Sequence, residues 1–127
     1  MRTKKAARRP CACLIYEQAL AGLTEANWAR ERLFDSDGNR CIAGHVLYAQ
    51  YGRDKHWSEL PDLNREDFAL VLHKIIAAQY PEVVDQWLAG PPEYVALSAV
   101  GLITFFNDVC ASYGDIRAVL EKAAADE

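Results

Sequence analysis

Glu93-Tyr94-Val95-Ala96-Leu97-Ser98-Ala99-Val100-Gly101-Leu102-Ile103-Thr104-Phe105-Phe106 carries no charge after its first residue and, wound into a helix, is apolar on nearly every side. A helix of that kind has to be wrapped by others, so the spacing predicts a central helix over 93–106. It falls short of the roughly 18 apolar residues that suggest a membrane span. Asn107-Asp108 is the first polar pair after it and closes it.

The rest of the chain supplies the wrapping. Leu14, Ile15, Ala19, Leu20 and Leu23 recur at three- and four-residue spacings, the stripe of an amphipathic helix over about 11–26. Trp28 follows as a cover for one end of the core. Residues 29–34 fit either a helix or a short extended segment, and Asp35-Ser36-Asp37-Gly38-Asn39 is a loop of turn formers. Ile42, Ala43, Val46, Leu47, Ala49 and Gln50 give a second helix that ends near Tyr51-Gly52. Asn64 caps a third, with Phe68, Val71, Leu72, Ile75 and Ile76 as its stripe to Gln79. Pro81 opens a short fourth helix to Leu88, and Ser112-Tyr113-Gly114-Asp115 opens the last, which buries Ile116, Val119, Leu120 and Ala123. The expectation is an all-α, single-domain bundle of five or six helices, with residues 11–125 folded behind an arm at 1–10.

The reactive residues gather elsewhere. Cys41 and His45 are four apart, hence on one face if the helix begins by Cys41. A thiolate at a helix N-terminus is stabilised by free amides, and a neighbouring imidazole can take its proton, which makes Cys41 a candidate nucleophile and His45 its base. Asp108 or Asn107 completes the catalytic set as the orienting group. The structural alternative is a buried cysteine and a histidine bonded to a carbonyl, with Gly44 between them admitting a close neighbouring backbone. If Asn107 or Asp108 instead bonds the free amides around Cys41, the stretch from Asp37 to Gly52 is a clasp. An empty pocket at that place favours the thiol chemistry.

Composition restricts the remaining classes. At 127 residues, 51% hydrophobic and 25% charged, the chain is ordinary globular material for one core. Pro10 and Cys11 interrupt any signal-like segment, so a cytoplasmic protein with reduced cysteines is expected. Arg2, Lys4, Lys5, Arg8 and Arg9 make a basic arm, while residues 10–127 hold nine basic against 18 acidic side chains, a net charge of −9. The arm is a candidate contact for nucleic acid, but the body repels a polyanion, and a solvated tail is the simpler reading. Cys11-x-Cys13 lacks the spacing of a zinc knuckle, and Cys41, His45, His56, His73 and Cys110 offer no second close cysteine pair. Asp35-x-Asp37-x-Asn39 begins like a calcium loop, yet Arg40 and Val46 occupy the places that need Gly and an acid. No metal or cofactor is expected.

These motifs carry a resemblance. Trp28, Asp37-Gly38-x-x-Cys41-x-Ala43-Gly44, Phe106-Asn107-Asp108 and Asp115-x-x-x-Val119-Leu120 resemble the pattern of a family of small actinobacterial and actinophage proteins of unknown function. Phe106 stands where that pattern has Trp, and His45 is not part of it. The resemblance implies no activity, substrate or cofactor. The leading expectation is a non-enzymatic helical protein-binding or regulatory protein, with a phage-encoded protein acting on a host protein as the form the resemblance suggests. Its candidate contacts are the aromatics Trp57, Tyr48, Tyr51 and Tyr113. The alternatives are a thiol-dependent hydrolase or transferase using Cys41, and a nucleic-acid binder using the basic arm.

Overall fold

The computed structural model of the protein describes residues 12–62 and 66–125. Among the described residues seven α-helices run in order: α1 Ala12–Gly22, α2 Ile42–Tyr51, α3 Asp67–Gln79, α4 Pro81–Ala89, α5 Pro92–Val95, α6 Ala99–Phe105 and α7 Tyr113–Ala125. Among the described residues there is no strand, only isolated bridges pairing Arg40 with Trp28 and with Phe34. Helix α1 packs on α2 and α7, and α3 packs on α6 and α7, around one apolar core. The all-α fold matches expectation.

Helix ends follow local chemistry. Helix α1 stops at Gly22 rather than near 26, because the Asn27 carboxamide donates to the Gly22 carbonyl at 2.8 Å and accepts from the Thr24 amide, while the Asn27 amide donates to the Thr24 hydroxyl. Gly52 closes α2 in the left-handed conformation, at φ 74°. Pro81 opens α4. At α7 the Ser112 hydroxyl accepts from the Asp115 amide, and the Asp115 carboxylate accepts from the Ser112 amide, a reciprocal cap. The expected cap Asn64 lies outside the described residues, as do Cys11 and the arm.

The predicted continuous helix over 93–106 is broken. Its first half is the single turn α5, followed by a reversal in which Ser98 takes a φ of 58°. Only the second half, α6, is buried, and Phe106–Cys110 continues it as one π-helical turn. A straight helix would separate residues 94 and 101 by about 10 Å along its axis. Here the Tyr94 carbonyl lies against Gly101, in space that a β-carbon would occupy. The bare glycine lets α5 fold back on α6, which leaves Leu97 and Glu93 exposed while Val100, Leu102 and Ile103 are sealed in the core.

Candidate functional site

Between α1 and α2 the chain is held by bonds rather than by regular structure. The Asp35 carboxylate accepts from the amides of Asp37 and Asn39 at 2.9 and 3.0 Å and from the Asn39 carboxamide. Those bonds, led by Asn39, hold its acid strength at a pKa of about 2. The backbone returns alongside itself: the Ala29 amide donates to the Arg40 carbonyl and the Arg40 amide to the Asn27 carbonyl. This delivers Cys41 to the start of α2.

Cys41 is the N-cap residue of α2 and is extended, with φ −75° and ψ 179°. It is therefore not on the helical face that the four-residue spacing to His45 presumes. Its Sγ accepts from the Gly44 amide at 3.4 Å, and the residue is 4% exposed. Burial pushes the thiol pKa up to about 12, the Gly44 bond opposing and the Asp108 carboxylate adding to the rise. His45 is equally buried, but its Nε2 faces the Asn27 carbonyl at 3.2 Å, so that nitrogen carries the proton. Burial lowers the His45 pKa and holds the ring neutral. Cys41 borders a hollow of about 190 Å³ with Trp57, Tyr94, Thr104 and Asp108, whereas His45 borders a different groove, with Gln18, Arg40 and Tyr48.

Asn107 joins the two halves of the fold. Its side-chain oxygen accepts from the Ile42 amide at 3.0 Å and from the Trp28 indole Nε1 at 2.7 Å. Its nitrogen donates to the Ala29 carbonyl at 3.0 Å and to the Asp108 carboxylate at 2.9 Å. Asp108 in turn accepts from the Glu31 amide at 2.8 Å, fixing Glu31 at a φ of 65°, and from the Tyr94 hydroxyl at 3.2 Å. Burial, then the Asp108 charge, keeps that phenol protonated beyond the usual tyrosine range. Arg30 adds a bond to the Ala111 carbonyl at 2.7 Å while lying over the Trp28 ring. The Asn107-Asp108 pair thus sits at the amide end of α2, where it serves as a clasp. Trp28, Glu31 and Tyr94 are clasp members that sequence reasoning did not place, since their partners lie 79, 77 and 14 residues away.

The four aromatic candidates divide. Trp57 stacks on Phe68, and Tyr113 packs beside Trp28, both half-buried. Tyr48 and Tyr51 are exposed, but a cation covers one face of each ring, Arg40 at 3.9 Å and Lys55 at 4.6 Å. A surface the sequence did not single out lies between α3 and α7: a groove of about 350 Å³ lined by Leu70, Val71, Lys74, Ile75, Ala78 and Lys122. Leu70 is 56% exposed there. Among the described residues no group of three or more His, Cys, Asp or Glu is placed to hold a metal ion, and no helix is long and apolar enough to cross a membrane.

The fold and clasp define a helical domain whose buried polar groups tie distant segments together. The chain belongs to the family of unknown function DUF6197, which it matches over residues 8–126. No curated protein and no solved structure matches it.

Proposed function

We propose that this chain is a non-enzymatic protein-binding domain that meets its partner along the groove between α3 and α7. The observation that carries this reading is Leu70. A leucine more than half exposed is a costly thing to leave in water, and it lines the groove beside the apolar Val71, Ile75 and Ala78 of its own helix. The groove runs along α3 from Leu70 to Gln79, roughly two to three turns, which suits a macromolecular partner.

A thiol-dependent hydrolase or transferase built on Cys41 draws on the hollow beside Cys41 and Asp108 but otherwise has less support. Its thiol is buried and held protonated at neutral pH, and His45 is turned to a backbone carbonyl.

Photocrosslinking tests the proposal. A benzophenone side chain placed at position 70, and separately at 51, is irradiated in a lysate of the source organism. We expect an adduct of defined mass at 70 and none at 51. An adduct at 51 alone moves the contact to the aromatic end of α2, and no adduct at either position counts against protein binding.

A further inference from the structure

We infer that the occupant of the groove is an acidic amphipathic helix of another protein. This rests on the protein-binding reading and adds the chemistry of the partner.

Most of the described cations are already engaged within the chain. Arg32 pairs with Asp35, Arg40 with Asp54, Arg53 and Lys55 with Glu59, and Arg117 with Glu121. Arg30 bonds a carbonyl and lies on Trp28. Lys74 and Lys122 alone among the described basic side chains have no ion pair, hydrogen bond or ring contact, and both line the groove between α3 and α7. In a body that is otherwise strongly acidic, this places two uncommitted positive charges beside exposed leucine. Carboxylates on a partner complement them, and complementary charge fixes register and orientation over an apolar contact.

The shape selects a helix. Leu70, Lys74 and Ala78 follow one another at four-residue spacing, and Val71 and Ile75 form the adjacent row, so the floor is ridged as a helix surface is. Helix α3 has 13 residues, about 20 Å of length, enough for a partner helix of three to four turns. The groove is open along one side. A docked helix keeps its outer face in water without cost, whereas small ligands are mostly enclosed. An apolar row at i, i+3, i+4 and i+7 flanked by Glu or Asp matches both the floor and the lysines. The chain's own α4 exposes Glu82, Asp85 and Leu88 on one side, so a second copy is the competing occupant.

A yeast-displayed library of helical peptides of about four turns, with its apolar row fixed and its flanking positions randomised over acidic, neutral and basic residues, is sorted against the full chain. We expect an enriched pool rich in Glu and Asp. Its affinity should fall at least about tenfold for Leu70→Asp and for the Lys74→Glu/Lys122→Glu double variant, with circular dichroism and melting temperature unchanged. Enrichment without acidic bias overturns the inference. So does a pool indifferent to Leu70→Asp, although protein binding elsewhere on the domain then survives. No enrichment at all counts against both readings. Sedimentation of the chain alone supplies the last arm: a dimer abolished by Leu70→Asp assigns the groove to a second copy instead. Saturable, lysine-dependent uptake of dodecanoate, with no peptide enriched, assigns it to an anionic amphiphile.

Discussion

The Asn107 side-chain oxygen accepts the Ile42 amide at 3.0 Å across 65 residues of chain, joining the end of the buried helix α6 to the start of α2. Ile42 N–H is one of the free donors that every helix start must satisfy, and it is buried. The same oxygen takes the Trp28 indole, so one carboxamide fixes three segments.

Asn107→Ala should therefore be among the most damaging single changes. It leaves the Ile42 amide, the Trp28 indole and the Ala29 carbonyl without their partner, each worth about 1–3 kcal/mol when stranded. Urea unfolding should register a loss on the order of 3 kcal/mol or more. A loss below about 0.5 kcal/mol would reject the clasp as a source of stability.

Gly44 and Gly101 should resist alanine for the same steric reason. A β-carbon at Gly44 meets the Leu33 carbonyl, and at Gly101 the Tyr94 carbonyl, both backbone atoms that cannot swing aside. Each Gly→Ala change should cost roughly 1–3 kcal/mol. Gly22→Ala, with open space around it, should be neutral or slightly stabilising in the same thermal melts. Equal behaviour of the three would mean the close approaches are not tight.

Cys41 should act as a cap that serine can replace. Cys41→Ser keeps an acceptor for the Gly44 amide, whereas Cys41→Ala removes it at about 1 kcal/mol. The melting temperature of the serine variant should lie above that of the alanine variant. The thiol also sets an alkaline limit. Its folded pKa, about 12, stands above the ordinary 9.0, so its contribution is whole below pH 9 and lost as pH climbs toward 12. Denaturant melts of wild type and Cys41→Ser should diverge in that window and run parallel below it.

His45 sets the opposite limit. Its folded pKa lies below the ordinary 6.5, so the unfolded chain binds the extra proton, and stability falls as pH drops from 6.5 toward the folded value. His45→Gln retains a donor for the Asn27 carbonyl and removes the titration. Between pH 7.5 and 5 its melting temperature should fall less than that of wild type. A parallel fall in both would assign the acid sensitivity to other groups.

Much of the bundle was readable because its helices are amphipathic at regular spacing: the stripe of α3 to Gln79, Pro81 at the head of α4 and Ser112-Asp115 at the head of α7 are all local signals. The break at Ser98 was not, since it depends on Gly101 meeting Tyr94 in three dimensions. The Asn107-Asp108 pair was visible as the polar end of an apolar run. Its partners were not, because Trp28 and Ile42 are brought to it by the fold. Cys41 and His45 looked like face neighbours on the assumption that Cys41 is helical, and as the extended cap residue it points elsewhere. Leu70 had a sequence signal, an apolar residue off the stripe of its helix, whose weight appears only when Lys74 and Lys122 stand beside it.

The central claim is that the reactive residues hold the fold while the α3–α7 groove does the binding. Affinity for the acidic helical peptides, measured side by side for Leu70→Asp and Cys41→Ser, tests it most directly. Leu70→Asp should lose at least about tenfold in affinity at unchanged melting temperature, and Cys41→Ser should bind as wild type does. Binding that survives Leu70→Asp and disappears with Cys41→Ser would contradict the account.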